Sequence, residues 1–236
     1  MLKLYYARPS AYARPVWLAL LEKQLPFELI PIDLGGEQFD PEFLAVNPFS
    51  HVPVLVDGEF QIIESLAILD YLEARYPTPS LLPTEAIALA KVRMVQSVTF
   101  SELLPALLRL IAYDENDIAA NEASEEWKYA RLRAINTLSF LENLLGDNRY
   151  FAGDRLTLAE IVAGTLVHRL PDLGVGFAAY PKLEAWSDQL LSRPTWQQIA
   201  LTPEEWSGFK RWIKVMPKIW ERRRRQRMRA LSGQPG

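Results

Sequence analysis

Three prolines fall within the seven residues Pro77-Thr78-Pro79-Ser80-Leu81-Leu82-Pro83, a density that neither a helix interior nor a central strand tolerates. The chain is therefore cut into two unlike halves, with residues 77–84 as the connection. Upstream, strand-like and helix-like stretches alternate. Leu2–Tyr6 and Phe27–Ile32 are short apolar strand candidates, and Arg14–Gln24 reads as a helix whose Pro15 falls in the first turn, where a missing N–H costs nothing. Pro41–Val46 is a short helix. Val54–Val56 and Phe60–Ile63 flank Asp57-Gly58, a strong hairpin signal, and Ser65–Tyr76 carries apolar residues at helical spacing before it stops at Pro77. The order over residues 1–76 is β-α-β-α-β-β-α, an α/β unit. Downstream, residues 85–236 show only helical periodicity, in Glu85–Tyr113, Glu125–Leu145, Leu158–Leu170, Pro181–Leu191 and from Pro203 to about Arg229, an all-α unit.

The chain has no cysteine, which removes disulfides, thiolate metal sites, iron–sulfur clusters and a cysteine nucleophile from consideration. With His51 and His168 the only histidines, a histidine metal centre is not expected, and no metal cofactor is predicted. Any thiol chemistry has to use a thiol that the protein binds. No apolar run approaches the roughly 18 residues of a membrane span, and MLKLYYARPS lacks the long apolar core of a signal peptide. A cytoplasmic protein is the expectation.

The net charge of −3 hides an asymmetry. Residues 218–236 hold seven basic residues against Glu221, leaving 19 basic and 28 acidic residues, a net −9, over residues 1–217. The run ERRRRQRMR is compatible with nucleic acid or an anionic membrane. The preceding Trp206, Phe209, Trp212, Ile213, Met216, Ile219 and Trp220 recur near helical spacing, however, which points to a helix docked on the acidic body with a solvated basic end. Neither a nucleic-acid nor a membrane partner is predicted.

The segment Asn47-Pro48-Phe49-Ser50-His51-Val52-Pro53-Val54-Leu55 sets a proline directly before an apolar strand. A trans proline fits poorly there except at a strand's start or on an edge. A cis Val52-Pro53 bond would expose the Val52 N–H and C=O at the end of the sheet, where they can pair with an extended peptide ligand as an added strand. Twelve residues past Pro53, Glu64-Ser65 opens a helix with Ser65 as its expected N-cap. The first N–H groups of that helix make an anion site suited to a carboxylate. Taken singly, each motif is equally a plain hairpin or an ordinary capped helix.

Together with the all-α second half, these motifs resemble the glutathione transferase superfamily, in which a thioredoxin-like domain binds glutathione and a helical domain supplies the second substrate's pocket. The resemblance covers roughly residues 1–200. It rests on LYYARPSAYARPVWLALLE, NPFSHVPVL and ESLAILDYLEARYP in the first domain, and on GDRLTLAEIVAG and YPKLEAWSDQLLSRPTWQQ in the second. Carried over by position, it implies that Val52, before Pro53, holds the cysteinyl backbone of glutathione, that Glu64 and Ser65 hold its γ-glutamyl end, and that His51 approaches its glycine carboxylate. Thr157 with Glu160 matches the family's capping box, although relatives usually carry Asp at the last position. The resemblance also implies a homodimer.

The group that activates the thiol stays open between two hydroxyls. The N-terminal phrase looks most like the bacterial beta class, but that class's cysteine falls at Ala11 here. Ser10 stands beside it, similar to the serine of theta-like members; Tyr6, at the strand's end, is the second candidate, placed like the tyrosine of the mammalian-type classes. Tyr5 and Tyr6 must point to opposite faces of the sheet. A free thiol has a pKa near 8.5, so a dominant thiolate at pH 7 needs a drop of about 2 units, roughly 2.7 kcal/mol. A hydroxyl donating to a charged acceptor contributes roughly 1.5–3 kcal/mol, and a nearby helix N-terminus roughly 0.3–1. Arg8 and Arg14 are further sources of positive field. The second substrate is expected to be a small hydrophobic electrophile, with Tyr12, Phe100, Leu103, Leu104, Leu107 and Tyr113 as candidate lining residues, although such apolar stripes are usually core.

The first reading of function is conjugation of the glutathione thiolate to such an electrophile in detoxification. The alternatives are glutathione-dependent isomerisation or peroxide reduction at the same site, and a glutathione-fold binding or scaffold protein without turnover.

Overall fold

The computed structural model describes residues 1–113 and 124–231. The first unit runs β1 (Leu2–Tyr6), α1 (Ala13–Glu22), β2 (Phe27–Pro31), α2 (Pro41–Val46), β3 (Val54–Asp57), β4 (Phe60–Ile63) and α3 (Ser65–Arg75), the order read from the sequence. The strands form one mixed sheet in the order β2-β1-β3-β4. β1 runs parallel to β2, with Leu4 opposite Leu29, and antiparallel to β3, with Leu4 opposite Leu55. Alternation along β1 decides which side chains reach which core. Leu2, Leu4 and Tyr6 face α1 and α3, whereas Tyr5 joins Phe43 and Val54 in a smaller cluster on the other face. The Val52–Pro53 bond is cis, as expected.

Lys23, just past α1, anchors the connection between the two units. Its side chain is fully buried, with Nζ donating to the carbonyls of Tyr76 (2.7 Å) and Pro79 (2.8 Å) and pairing with Glu73 at 2.6 Å. A buried ammonium is tolerated when its donors are met in this way. Glu73 in turn accepts from the Leu81 N–H, so the proline-rich segment is held to the first unit by two charged groups.

The second unit contains only helices among the described residues: α4 (Ala86–Val98), α5 (Leu104–Ala112), α6 (Glu125–Leu145), α7 (Leu158–Val167), α8 (Pro181–Leu191), α9 (Pro194–Ile199) and α10 (Pro203–Leu231). The stretch expected as one helix, Glu85–Tyr113, is continuous but not uniform. Between α4 and α5 the residues Thr99–Leu103 form a π-helical turn, which ends two residues before Pro105, a residue with no N–H to give to the ladder. By length and composition Ala86–Ala112 could cross a membrane, a match that no uninterrupted apolar run announces. Half of its most apolar part is buried inside the protein, as in a core helix.

α7 is the centre of this unit, with all ten residues buried. It begins with the expected capping box: Thr157 Oγ1 accepts from the Ala159 N–H at 3.2 Å, and Glu160 Oε2 accepts from the Thr157 N–H at 2.9 Å. Glu160 also accepts from the Phe151 N–H at 2.8 Å, while burial pushes its carboxyl above the usual range. At Gly164 a Cβ would come within 2.6 Å of Leu190 Cδ1 and 3.3 Å of Trp196 Nε1, so a side chain there would displace the Leu190 side chain in the packed contact between α7 and α8. α7 is three residues shorter than the spacing suggested, and the short α9, opened by Pro194, was not expected.

Candidate active site

Where β1 ends, the chain turns through residues 7–12 into α1, and this turn presents Ser10. The Ser10 N–H donates to the Ala7 carbonyl at 2.9 Å, and the Arg14 N–H to the Ser10 carbonyl at 3.1 Å. Ser10 Oγ accepts from the Ala13 N–H at 3.2 Å. The oxygen thus serves as a cap for α1 while its own O–H remains a donor. Ser10 is 8% exposed and lines a cavity of about 530 Å³.

The loop between α2 and β3 forms the next part of that cavity. Asn47, buried, binds it together at both ends: its Nδ2 donates to the His51 carbonyl at 2.7 Å, and its Oδ1 accepts from the Phe49 N–H at 3.0 Å. These bonds hold Ser50 at φ 61 and deliver His51, Val52 and Pro53 to the cavity wall. The β4–α3 junction supplies Glu64 and Ser65 beside them. Here the expectation needs correction. Ser65 is the first residue of α3, and Glu64 occupies the cap position at φ 68 without a capping bond from its side chain. With φ positive at Glu64 the chain passes from strand to helix in a single residue, which moves the helix start one place back. Three non-glycine residues have positive φ among the described residues, and two of them, Ser50 and Glu64, line this cavity. A strained backbone of this kind costs about 1–3 kcal/mol and concentrates at functional sites.

The opposite wall differs from the one expected. Of the six proposed lining residues, Tyr12 and Leu104 reach the cavity. Leu103 and Leu107 are buried in the main core. Phe100 packs on Tyr12, ring centroids 5.1 Å apart, and Tyr113 lies at the end of α5, where its hydroxyl bonds to that of Ser124 at 2.8 Å. The π turn at Thr99–Leu103 precedes this part of the wall. It takes up one residue more than an α-helical turn, and beyond it Leu104 and Leu108, four residues apart on one face of α5, line the cavity, whereas Leu107 is buried. The rest of the wall is α10, through Phe209, Trp212, Ile213, Met216 and Trp220. The sequence marked these residues as one docked face. What it did not carry was the place where that face docks.

Tyr6 is not among the lining residues. Its ring packs edge-on against Trp17, centroids 5.2 Å apart, on the core side of the sheet. Tyr12 is the one tyrosine that lines the cavity, and burial together with the Glu64 carboxylate raises its pKa, so the phenol is a neutral donor.

Neither arginine raised as a source of field lines this cavity. Arg8 pairs with Glu205 at 2.6 Å, donates to the Ala200 carbonyl at 3.0 Å and sits over the Trp17 ring. Arg14 is buried against α7, reaching the Thr165 carbonyl at 3.5 Å. Burial, then repulsion from Arg169 and Arg8, brings its pKa down to about 9, opposed by Glu205. Nearby His168 falls to about 3, chiefly by burial and then by the charges of Arg169 and Arg14, so it is neutral at physiological pH. Among the described residues no group of three or more His, Cys, Asp or Glu side chains is placed to hold a metal.

Residues 4–80 match the family model described as glutathione S-transferase, N-terminal domain, and residues 102–194 match glutathione S-transferase, C-terminal domain. The chain is 32% identical over 205 residues to a maleylacetoacetate isomerase of Pseudomonas aeruginosa, an alignment that covers 82% of this chain and 92% of the relative. It is 32% identical over 200 residues to glutathione S-transferase Z1 of Arabidopsis thaliana, with 83% and 90% covered. Among solved structures it is similar to a glutathione transferase homologue from Sulfitobacter with bound glutathione, at a TM-score of 0.71 and 26% identity, over 84% of this chain and 96% of that one.

Proposed function

The chain belongs to the glutathione S-transferase superfamily, which uses glutathione as a co-substrate, and from that premise we propose that it holds glutathione as the thiolate and adds the sulfur to an electrophilic carbon of a small apolar substrate. The observation that carries this reading is the placement of the Ser10 hydroxyl, a free donor on the cavity wall formed also by Val52, cis Pro53 and the start of α3. In it, the Val52 backbone pairs with the cysteinyl unit. Glu64, Ser65 and the first N–H groups of α3 take the γ-glutamyl end, and His51 faces the glycine carboxylate. The Ser10 O–H donates to the sulfur and stabilises the anion over the neutral thiol.

Two outcomes follow from the same addition. If the attacked carbon bears a leaving group, that group departs and a conjugate forms. If it belongs to an activated cis double bond, the adduct has a single bond about which it can rotate, and expulsion of the thiolate returns the trans isomer and intact glutathione. The Pseudomonas relative, named as an isomerase, weighs toward the second outcome, which the sequence alone placed behind conjugation. Isomerisation is therefore the leading activity in this proposal and conjugation the second. The apolar wall of Leu104, Leu108 and α10 suits the uncharged part of either substrate. We place the enzyme in the cytoplasm as a homodimer.

The deciding experiment counts glutathione. The protein is given a cis enedione and, separately, an aryl chloride and an isothiocyanate, each with glutathione below the substrate concentration, and products are followed by NMR. Complete conversion with glutathione unconsumed is expected for the enedione. Consumption of one glutathione per product would make conjugation the activity, and no conversion of any probe would reject thiolate addition.

A further inference from the structure

A second, smaller cavity of about 230 Å³ lies beside the first, and the two share Leu34, Phe209 and Trp212. Its remaining wall comes from the β1–α1 turn, Ile32, Asp33 and Gly208 of α10. The residues that line both are two aromatics of α10 and one leucine of the loop after β2, none of them in a strand of the sheet. Phe209 is buried and stacked on Trp206 with centroids 5.8 Å apart. Trp212 is half-buried, stacks on Phe209 at 6.1 Å and meets Trp220 edge-on at 6.3 Å. Gly208 adds no side chain to the second chamber, and a Cβ there would meet nothing nearer than Arg211 Nη2 at 3.9 Å. Of the two charged residues on its wall, Arg8 is engaged by Glu205 and the Ala200 carbonyl, and Asp33 accepts from the Gly35 N–H at 2.8 Å; the rest of the wall is apolar or glycine apart from the backbone.

We propose that Trp212 is a specificity-determining residue, whose ring divides one cleft into two chambers and so sets the greatest length of apolar substrate that the site accepts. This rests on the reading of the larger cavity as the glutathione and electrophile site. A substrate bonded to the glutathione sulfur extends from Ser10 along Leu104 and Leu108 and meets the Trp212 ring. Removal of that ring opens the space bounded by Gly208, and apolar tails that stop at the ring in the native protein continue into it.

The test uses S-alkylglutathiones from S-methyl to S-decyl, whose chains start where the electrophile's carbon would be bonded, with affinities measured by calorimetry. For the native protein, affinity is expected to rise roughly fourfold per methylene while the chain fits the first chamber, and then to level off. In Trp212→Ala the plateau moves to longer chains, and the affinity of the longest ligand relative to S-methylglutathione rises at least about tenfold over the same ratio in the native protein. Trp212→Leu moves it less in the same direction and guards against a disturbed α10. Gly208→Leu fills the second chamber; alone it leaves the native series unchanged, and combined with Trp212→Ala it cancels the gain. A plateau at the native length in both Trp212 variants, or a gain that survives Gly208→Leu, overturns the proposal. If S-methylglutathione itself fails to bind the native protein, the glutathione reading falls together with it, whereas normal binding without any length effect overturns the proposal alone.

Discussion

The first-unit wall of the large cavity is made of short loops, three of them held by hydrogen bonds or positive φ, while the wall facing it is made of two helices, α5 and α10. In the first, Asn47 bonds to Phe49 and His51, Ser10 caps α1, and Ser50 and Glu64 hold positive φ. In the second, Leu104, Leu108 and the α10 face offer mainly apolar area and shape, with the indole N–H groups of Trp212 and Trp220 as their side-chain donors. Loops built this way present backbone donors and acceptors that a peptide-like ligand can match. A wall of side chains presents volume, which a single substitution can change without unfolding the protein. The contrast suits a site in which one ligand is constant and the other varies.

The largest effect is expected at Ser10, because it bears on a charge. Loss of a charge-assisted hydrogen bond of roughly 1.5–3 kcal/mol in Ser10→Ala should raise the pKa of the bound thiol by about one to two units, since the neutral thiol hardly feels the change. Turnover at pH 7 should fall tenfold or more, and because the lost quantity is thiolate fraction, part of it should return at pH 9. Turnover and thiolate absorbance near 240 nm, both against pH, check this together. A loss that stays constant from pH 7 to 9 would assign Ser10 to packing.

Ser65→Ala should come next and should act on binding. A donor to the γ-glutamyl carboxylate is worth roughly 1.5–3 kcal/mol, a tenfold or greater loss of glutathione affinity, with the thiol pKa unmoved. Calorimetry on the folded variant reads it, and unchanged affinity removes Ser65 from the site. The combination of Ser10 moving the pKa and Ser65 moving the affinity is what a wall of fixed polar contacts predicts.

The facing wall should respond more weakly and on a different parameter. Leu108→Ala removes three carbons of apolar surface, about 0.8 kcal/mol each when fully buried and less at a cavity lining, so KM for the second substrate should rise severalfold while glutathione affinity holds. A parallel loss in both would mean that the two walls are mechanically one.

This difference also decides what the sequence could disclose. Residues 47–53 and 64–65 are legible because their geometry arises within a few residues: an Asn-Pro turn, a proline before a strand, a helix start. The exception, the exchange of cap position between Glu64 and Ser65, is a matter of one residue. The facing wall depends on relations that no local pattern holds. α5 follows the π turn at Thr99–Leu103, and along it Leu107 is buried in the core while Leu108, half-buried against the same core, also reaches the cavity. α10 reads clearly as an apolar face, but that it docks over the cavity depends on contacts between residues far apart in sequence, such as Arg8 with Glu205.

Tyr6→Phe should have the smallest effect, and for that reason it probes the comparison most directly. Tyr6 and Ser10 both offer a hydroxyl near the end of β1, and from the sequence either could hold the thiolate. In the structure the ring of Tyr6 lies on the core face of the sheet against Trp17, while Ser10 is beyond the strand on the cavity wall. A phenol that does not reach the sulfur cannot distinguish thiol from thiolate, so Tyr6→Phe should leave the 240 nm titration in place and change turnover less than about twofold, within the range of a conservative substitution away from the chemistry. The apolar part of the ring remains, so the contact with Trp17 and the stability of the fold are retained. If instead Tyr6→Phe shifts the titration and Ser10→Ala does not, the thiol is held from the core side of β1 and the ordered loops are only a scaffold for the peptide. If neither substitution shifts it, the anion is stabilised by the N–H groups at the start of α1, a backbone field that no side-chain replacement removes.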